Sequence, residues 1–267
     1  MLNGWQQLQI EKMIVNNFNI HPDAKIGKNV KIGPYCSIGQ NVTIGDDTTI
    51  MSHVIIDGNT KIGESNTIYP FACIGTNPQD LKFKGEETNI IIGKNNIIRE
   101  YVTIHPGTEL GGGTTRIGDG NLFMISSHIA HDCLIGNSVI IANNVPVAGH
   151  CHIEDNVVIG GNSAIQQYVS VGKGAIVGGM TGVNRSVLPY TLCIGNRCFY
   201  KNLNLIGLKR KGYDNKIINE YKELVDLFFK NRSEAKKIVK TKNPLINDFI
   251  VFLKRNNNKK ICTPEIE

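Results

Sequence analysis

Aromatic side chains are scarce in this chain of 267 residues: they make up 7%, with a single Trp. So few rings are odd for an ordinary globular core. The abundance of Gly, 28 residues, and of Ile points instead to a repetitive β architecture. No stretch approaches the ~20 apolar residues of a membrane-spanning helix. The opening MLNGWQQLQIEKMIVNNFNIHP has no basic segment followed by an apolar one, so no secretory signal is expected. The seven Cys (36, 73, 133, 151, 193, 198 and 262) include no CxxC pair and are odd in number. They read as reduced packing residues of a cytoplasmic protein, not as a disulfide framework or a Cys-based metal site. No GxxxxGK phosphate loop occurs, and Gly111, Gly112 and Gly113 read as a flexible insertion.

Charge is present but uneven. The formal net charge is +6. Residues 1–196 carry −3 and residues 197–267 carry +9, so the basic half is C-terminal. A solvated helical face is the plain explanation for most of those lysines. An anionic ligand or an acidic partner is the alternative.

An aliphatic residue recurs every six positions. The series runs Ile20, Ile26, Ile32 and onward to Ile74, resumes at Ile92, Ile98 and Ile104, and resumes again one residue out of phase from Ile117 to Val183. Period six is neither the helical 3.6 nor a simple strand alternation. It fits a prism of triangular section in which each hexad makes one short strand and a turn, and three hexads close an 18-residue coil. Twenty-five such positions give about eight coils and a length of roughly 40 Å at the usual strand spacing.

The organisation follows. Residues 1–19 are an N-terminal extension and residues 20–188 the β-helix, with loops at 75–89 and 106–116. Residues 189–255 are expected as a helical C-terminal domain. Ile217, Ile218, Tyr221, Leu224, Val225 and Phe228 stand at helical spacing within 214–232, and two shorter helices broken at Pro244 follow. The tail 256–267, rich in Asn and Lys, is expected to be disordered.

The 18-residue period places side chains without a structure. His131, Gly149 and Gln167 each stand two residues after a core aliphatic and form one column; Asp132, His150 and Tyr168 form the next. His128 lies one residue before Ile129. A polar cluster with three His on an outer edge has no core-packing role, although a solvated or inter-subunit polar ladder is an alternative to a site. Imidazole can take a hydroxyl proton at neutral pH. Asp132 could fix its tautomer, and the Gly149 N–H could meet a developing oxyanion.

HIAHDC (128–133), AGH (148–150), NPQDLK (77–82), IGGNSAIQQY (159–168) and NLNLIGLKRKGY (202–213) resemble the UDP-N-acetylglucosamine O-acyltransferases of lipid A biosynthesis, within the hexapeptide-repeat acyltransferases. The resemblance runs from about residue 20 to at least 230. It implies a left-handed parallel β-helix, opposite to the usual hand of parallel crossovers. It implies a homotrimer, a (3R)-3-hydroxyacyl donor on acyl carrier protein, UDP-N-acetylglucosamine as acceptor, and no cofactor, metal or nucleic acid. His131 would be the general base, Asp132 its support and the Gly149 N–H the oxyanion donor. Asp80 and Lys82 would contact substrate. His128, His150, Gln166 and Gln167 would line the pocket, Asn204 and Arg210 would bind the nucleotide, and Gly179 would set acyl-chain length. Three positions depart from the pattern: Gln166 and Arg197 stand where His is frequent, and Ile206 where Glu is frequent.

Rival readings are the N-acyltransferase of the same pathway, for whose N-terminal domain there is no room before Ile20, and a coenzyme A-dependent acetyltransferase. A non-catalytic β-helix and a zinc site built on His128, His131 and His150 complete the set.

Overall fold

A computed structural model describes residues 19–238 and 241–265. The N-terminal extension expected at 1–19 therefore lies almost wholly outside the described residues. The hexads form short strands stacked into three flat faces. The first face has nine strands, from Asn19–Ile20 through Cys73–Ile74, Thr103–Ile104, His128–Ile129 and Pro146–Val147 to Gly182–Val183. The second has eight, from Lys25–Ile26 to Ser170–Val171, and the third ten, beginning at Lys31–Ile32. Pairing between successive coils is parallel, with Ile opposite Ile, as in Ile104↔Ile129↔Val147↔Ile165.

Each hexad sends two residues inward. The repeating aliphatic is nearly sealed from water, for example Ile56, Ile68, Ile98, Ile129 and Ile159. A small residue two positions earlier is buried with it: Cys36, Val42, Thr60, Ala72, Cys133 and Cys151 all take this place. No ring takes this place among the described residues, and Cys36, Cys133 and Cys151 serve there as small packing residues sealed from water. Full burial of one Ile contributes about 1.5–3 kcal/mol. Corners turn through left-handed residues, often Asn or Asp, such as Asn29, Asp47, Asn95 and Asn156. Their short polar side chains tolerate that conformation.

One inner column is polar. Asn66 Oδ1 accepts from the Asn96 main-chain N–H at 2.9 Å and from its side-chain amide at 3.0 Å. Asn96 Oδ1 accepts from the Asn121 N–H at 2.9 Å, and Asn121 Oδ1 from the Val139 N–H at 2.7 Å. Thr48 starts the ladder by accepting from the Asn66 N–H at 3.3 Å.

The C-terminal part departs from expectation in two ways. The β-helix does not end at 188. Thr191–Ile194 pairs in parallel with Ile176–Val177, and Phe199–Leu203 returns antiparallel to it, so a hairpin extends the third face. Helices follow only then: α1 (Leu205–Arg210), α2 (Asn215–Lys230), α3 (Arg232–Ala235) and α4 (Pro244–Arg255). Pro244 begins α4, where a missing N–H costs nothing, and Asn243 caps it. α2 buries Ile218, Tyr221, Leu224, Val225 and Phe228 as the spacing predicts. Tyr221 Oη donates to the Pro189 carbonyl at 2.6 Å, tying helix to prism.

The second departure is the tail, whose described part is ordered against the last coil. Ser186 donates to the Lys260 carbonyl and Cys262 to the Ser186 carbonyl, both at 2.8 Å, while Tyr200 donates to Thr263 at 2.9 Å. Ile261 and Cys262 are buried. The polar composition of 256–260 hides this pair, which covers apolar side chains and main-chain donors that the final coil would leave open.

Asn96→Val is expected to remove an acceptor from a buried N–H and to lower unfolding free energy by about 1–3 kcal/mol. Thermal melts of the two proteins measure it.

Candidate active site

The chain passes from the first face to the second at one corner, and this corner carries five features on five successive coils. After Cys73–Ile74 comes the first insertion, and after Thr103–Ile104 the second. After His128–Ile129 come Ala130, His131 and Asp132. After Pro146–Val147 come Ala148, Gly149 and His150, and after Ala164–Ile165 come Gln166, Gln167 and Tyr168. The two predicted columns are present. Asp132, His150 and Tyr168 all take left-handed backbones with φ near 60°, and the His150 N–H donates to the His131 carbonyl at 3.0 Å. The His150 and Tyr168 rings stack at 4.5 Å.

His131 and Asp132 are 5% and 7% exposed. His131 Nδ1 lies 2.8 Å from Asp132 Oδ2, while its Nε2 has no hydrogen-bond partner among the described residues. A carboxylate at Nδ1 fixes the proton there and leaves Nε2 as the acceptor. Gly149 packs on the ring: a Cβ there would sit 2.5 Å from His131 Cε1 and 2.7 Å from Nε2, so any side chain would displace the imidazole. The Gly149 N–H donates to no acceptor among the described residues.

His150 stands edge-on to His131, with centroids 4.9 Å apart, and its Nδ1 is 3.8 Å from Asp132 Oδ2. Burial depresses the His150 pKa; Asp132 opposes the shift, and a charged His131 would reinforce it. His128 is held on the other side by Thr103 Oγ1 at 2.7 Å, and burial depresses its pKa too. Beneath it lies His105, buried, edge-on to His128 and with Nδ1 unpartnered. Burial, then the charges of His128 and His131, push His105 down to about 4.

The expected residues divide by place. Asp80 and Lys82, in the first insertion, face His150 closely enough to influence its titration. With Lys84, Glu86, Thr108 and Glu109 they line a cavity of about 300 Å³ between the two insertions. Gln166 lies exposed in a second groove, about 440 Å³, on the first face; Pro146, Ala148, Ala164 and Arg197 line it too. Gln167 is exposed beside Tyr168, and Gly179 is exposed on the corner between the third and first faces. Asn204 and Arg210 are not brought to this corner. They line a cavity of about 680 Å³ on the third face with Asn156, Tyr190, Ile206 and Lys211. Asn204 is largely committed there: its Oδ1 accepts from the Gly207 N–H at 2.9 Å and its amide donates to the Gly174 carbonyl at 3.0 Å.

Three residues were missed from sequence: His105, Thr108 and Thr115. Thr108 donates to Asp132 twice, from N–H to Oδ1 at 2.9 Å and from Oγ1 to Oδ2 at 2.6 Å. Thr115 Oγ1 accepts from the Asp132 N–H at 2.8 Å. The Gly-rich second insertion is thus packed on the carboxylate. The available signal was its exit corner, one coil before His131.

The donors His131, Asp132 and His150 come within 4.8 Å of one another, whereas His128 is not in that group. Both Asp132 oxygens are already engaged by Thr108 and His131, which makes this a poor donor set for a metal. Cys133 points into the core, donating to the Ala148 carbonyl at 3.2 Å. Its neighbour Cys151 and burial hold its pKa well above the ordinary thiol range.

A hexapeptide-repeat β-helix with a His–Asp pair on its corner defines a transferase of the bacterial hexapeptide class. The family described as bacterial transferase hexapeptide (six repeats) matches residues 13–45, 23–58 and 41–76, and that described as Udp N-acetylglucosamine O-acyltransferase, Domain 2, matches residues 187–262. The chain is 47% identical over 91% of its length, and 96% of the relative's, to the acyl-[acyl-carrier-protein]–UDP-N-acetylglucosamine O-acyltransferase of Thermodesulfovibrio yellowstonii. The crystal structure of the Moraxella catarrhalis UDP-N-acetylglucosamine O-acyltransferase (LpxA) superposes with a TM-score of 0.87 at 42% identity, covering 93% of this chain and 98% of that one. The structure of LpxA from Acinetobacter baumannii gives 0.88 at 39%, covering 94% and 98%. The chain belongs to the UDP-N-acetylglucosamine O-acyltransferase family, an acyltransferase family built on the left-handed parallel β-helix.

No described helix is long and apolar enough to cross a membrane.

His105 and His152 both titrate near 4 in the fold, against 6.5 unperturbed, chiefly through burial. The unfolded chain therefore takes up protons first as pH falls, and stability is lost between about pH 6.5 and 4, at up to roughly 1.4 kcal/mol per pH unit per group. His105→Gln is expected to flatten that slope in melts recorded across this range.

Proposed function

We propose that the chain transfers a (3R)-3-hydroxyacyl group from acyl carrier protein to the 3-hydroxyl of UDP-N-acetylglucosamine in a single step. The observation that carries the mechanism is His131, with Nδ1 tied to Asp132 and Nε2 without a hydrogen-bond partner among the described residues. In this reading Nε2 takes the proton of the sugar hydroxyl as its oxygen attacks the thioester carbon. The Gly149 N–H, one coil on, meets the oxyanion, and when the carbonyl re-forms the carrier sulfur leaves and takes the proton back from Nε2, which restores neutral His131 and gives the carrier thiol. Asp132 stabilises the imidazolium formed meanwhile. No cofactor or metal is invoked, and no acyl-enzyme; the inward, poorly acidic Cys133 supports the last of these.

Asp80 and Lys82 contact the sugar or the acyl head beside His150, with His128 lining the pocket. Gln166 and Gln167 line the acyl path along the first face. Gly179, lacking a side chain, leaves room for a longer chain. Asn204 and Arg210 bind the nucleotide, Arg210 as a fork on phosphate. Their cavity lies on the third face, whereas His131 lies between the first and second. A homotrimer that sets one copy's third face against the next copy's His131 corner brings the two halves together, and we assign that assembly here. The basic C-terminal part suits an acidic carrier protein. A cytoplasmic location fits these substrates.

Mass spectrometry of products from UDP-N-acetylglucosamine with a length series of acyl carrier protein thioesters, against acetyl coenzyme A, tests the reaction. 3-O-acylation from the carrier only is expected, and acetylation from the coenzyme would overturn it. His131→Ala should lower turnover at least a thousandfold and Cys133→Ala by less than threefold; the reverse pattern defeats the mechanism.

A further inference from the structure

The geometry points to Thr108 as a positioning residue: it fixes the Asp132 carboxylate so that one oxygen is presented to His131 Nδ1. This rests on the general-base reading above. Asp132 is a single-atom partner to His131, through Oδ2 at 2.8 Å. A carboxylate held by that contact alone could rotate about its side-chain torsion and exchange oxygens. Thr108 opposes this by donating to both, from N–H to Oδ1 at 2.9 Å and from Oγ1 to Oδ2 at 2.6 Å.

The fork is itself rigid. Thr108 is 3% exposed, and its carbonyl accepts from Gly111 at 3.0 Å and from Gly113 at 2.8 Å, closing the short turn Glu109–Gly111. That turn lies against the far side of the carboxylate. A Cβ on Gly111 would stand 2.0 Å from Asp132 Cγ and 2.1 Å from Oδ2. The Asp132 main chain is pinned separately by Thr115 Oγ1. Main chain, both oxygens and the packing face of Asp132 are thus all set by the second insertion.

The charged and titratable groups around the pair come from other coils. His150 and His128 face His131, His105 lies beneath His128, and Asp80 and Lys82 face His150 from the first insertion. His150 Nδ1 also stands 3.8 Å from Asp132 Oδ2, and among the described residues no hydrogen bond joins any of these groups to Thr108.

The test uses the full-length enzyme with acyl carrier protein thioester and UDP-N-acetylglucosamine. Thr108→Val and Thr108→Ala remove the Oγ1 donor and keep the main-chain one. Both are expected to lower kcat at least tenfold with both KM values within about twofold, and Thr108→Ser, which restores the hydroxyl, to return kcat to within threefold of the unsubstituted enzyme. A kcat unchanged in Thr108→Val and Thr108→Ala overturns the proposal. So does a loss carried by KM, or one that Thr108→Ser shares, because either would mark a merely structural loop. His131→Ala, assayed alongside, separates the premises. If it keeps turnover, the general-base reading falls and the proposal with it; if it loses turnover while Thr108→Val does not, only the proposal falls.

Discussion

Everything in this molecule depends on parallel main-chain pairing between coils that are 18 residues apart, except where an insertion intervenes. The aliphatic that each hexad sends inward can be sealed only if the coil above and the coil below are in register. The hydrogen bonds between coils then hold each corner at a fixed step from the next. A side chain at a corner is positioned by its neighbours along the axis, not by its neighbours in sequence. His131 meets Gly149 because Ile129 pairs with Val147, and for no local reason.

This explains which parts could be read from the sequence. The repeating aliphatic reports its own burial, so the fold, the two insertions and the columns through His131 and Asp132 followed from counting. The six apolar positions of α2 announced themselves by spacing in the same way. Counting fails where the period fails. Thr191–Ile194 and Phe199–Leu203 form strands without the repeat, since their partners are supplied by the last coil and by one another. Ile261 and Cys262 find a partner at long range, and no window of local composition could show it.

The site was legible only in part for a related reason. Residues at hexad positions, His131, Asp132, Gly149 and His150, could be placed by arithmetic. Residues in an insertion have no arithmetic. Thr108 lies between two repeats, and Gly111 looks like slack in a loop, whereas the structure has it flat against a carboxylate. Gly107 and Gly111 allow close approach, whereas Gly112 and Gly113 take the left-handed backbone that closes the turn. The role of Asn204 rests on resemblance alone and not on counting, and in the structure its Oδ1 caps the start of α1 while its amide donates to the Gly174 carbonyl.

The buried amides along one inner column have a consequence for how the chain finds its fold. A prism of near-identical hexads is degenerate, because sliding one coil past the next returns Ile to Ile and leaves the apolar core content. Asn66, Asn96 and Asn121 break that degeneracy. In the native alignment each amide oxygen meets an N–H of the coil above, and Asn66 Oδ1 also takes the Asn96 side-chain amide at 3.0 Å; after a slip that opposed an aliphatic to Asn66, this side-chain contact would be lost and a buried amide left without it, at about 1–3 kcal/mol. Much as a single buried Asn sets the stagger of a coiled coil, this short polar stripe acts as an index mark. It lets a repetitive sequence distinguish its own coils while it folds, and so keeps Gly149, not another repeat, beside His131.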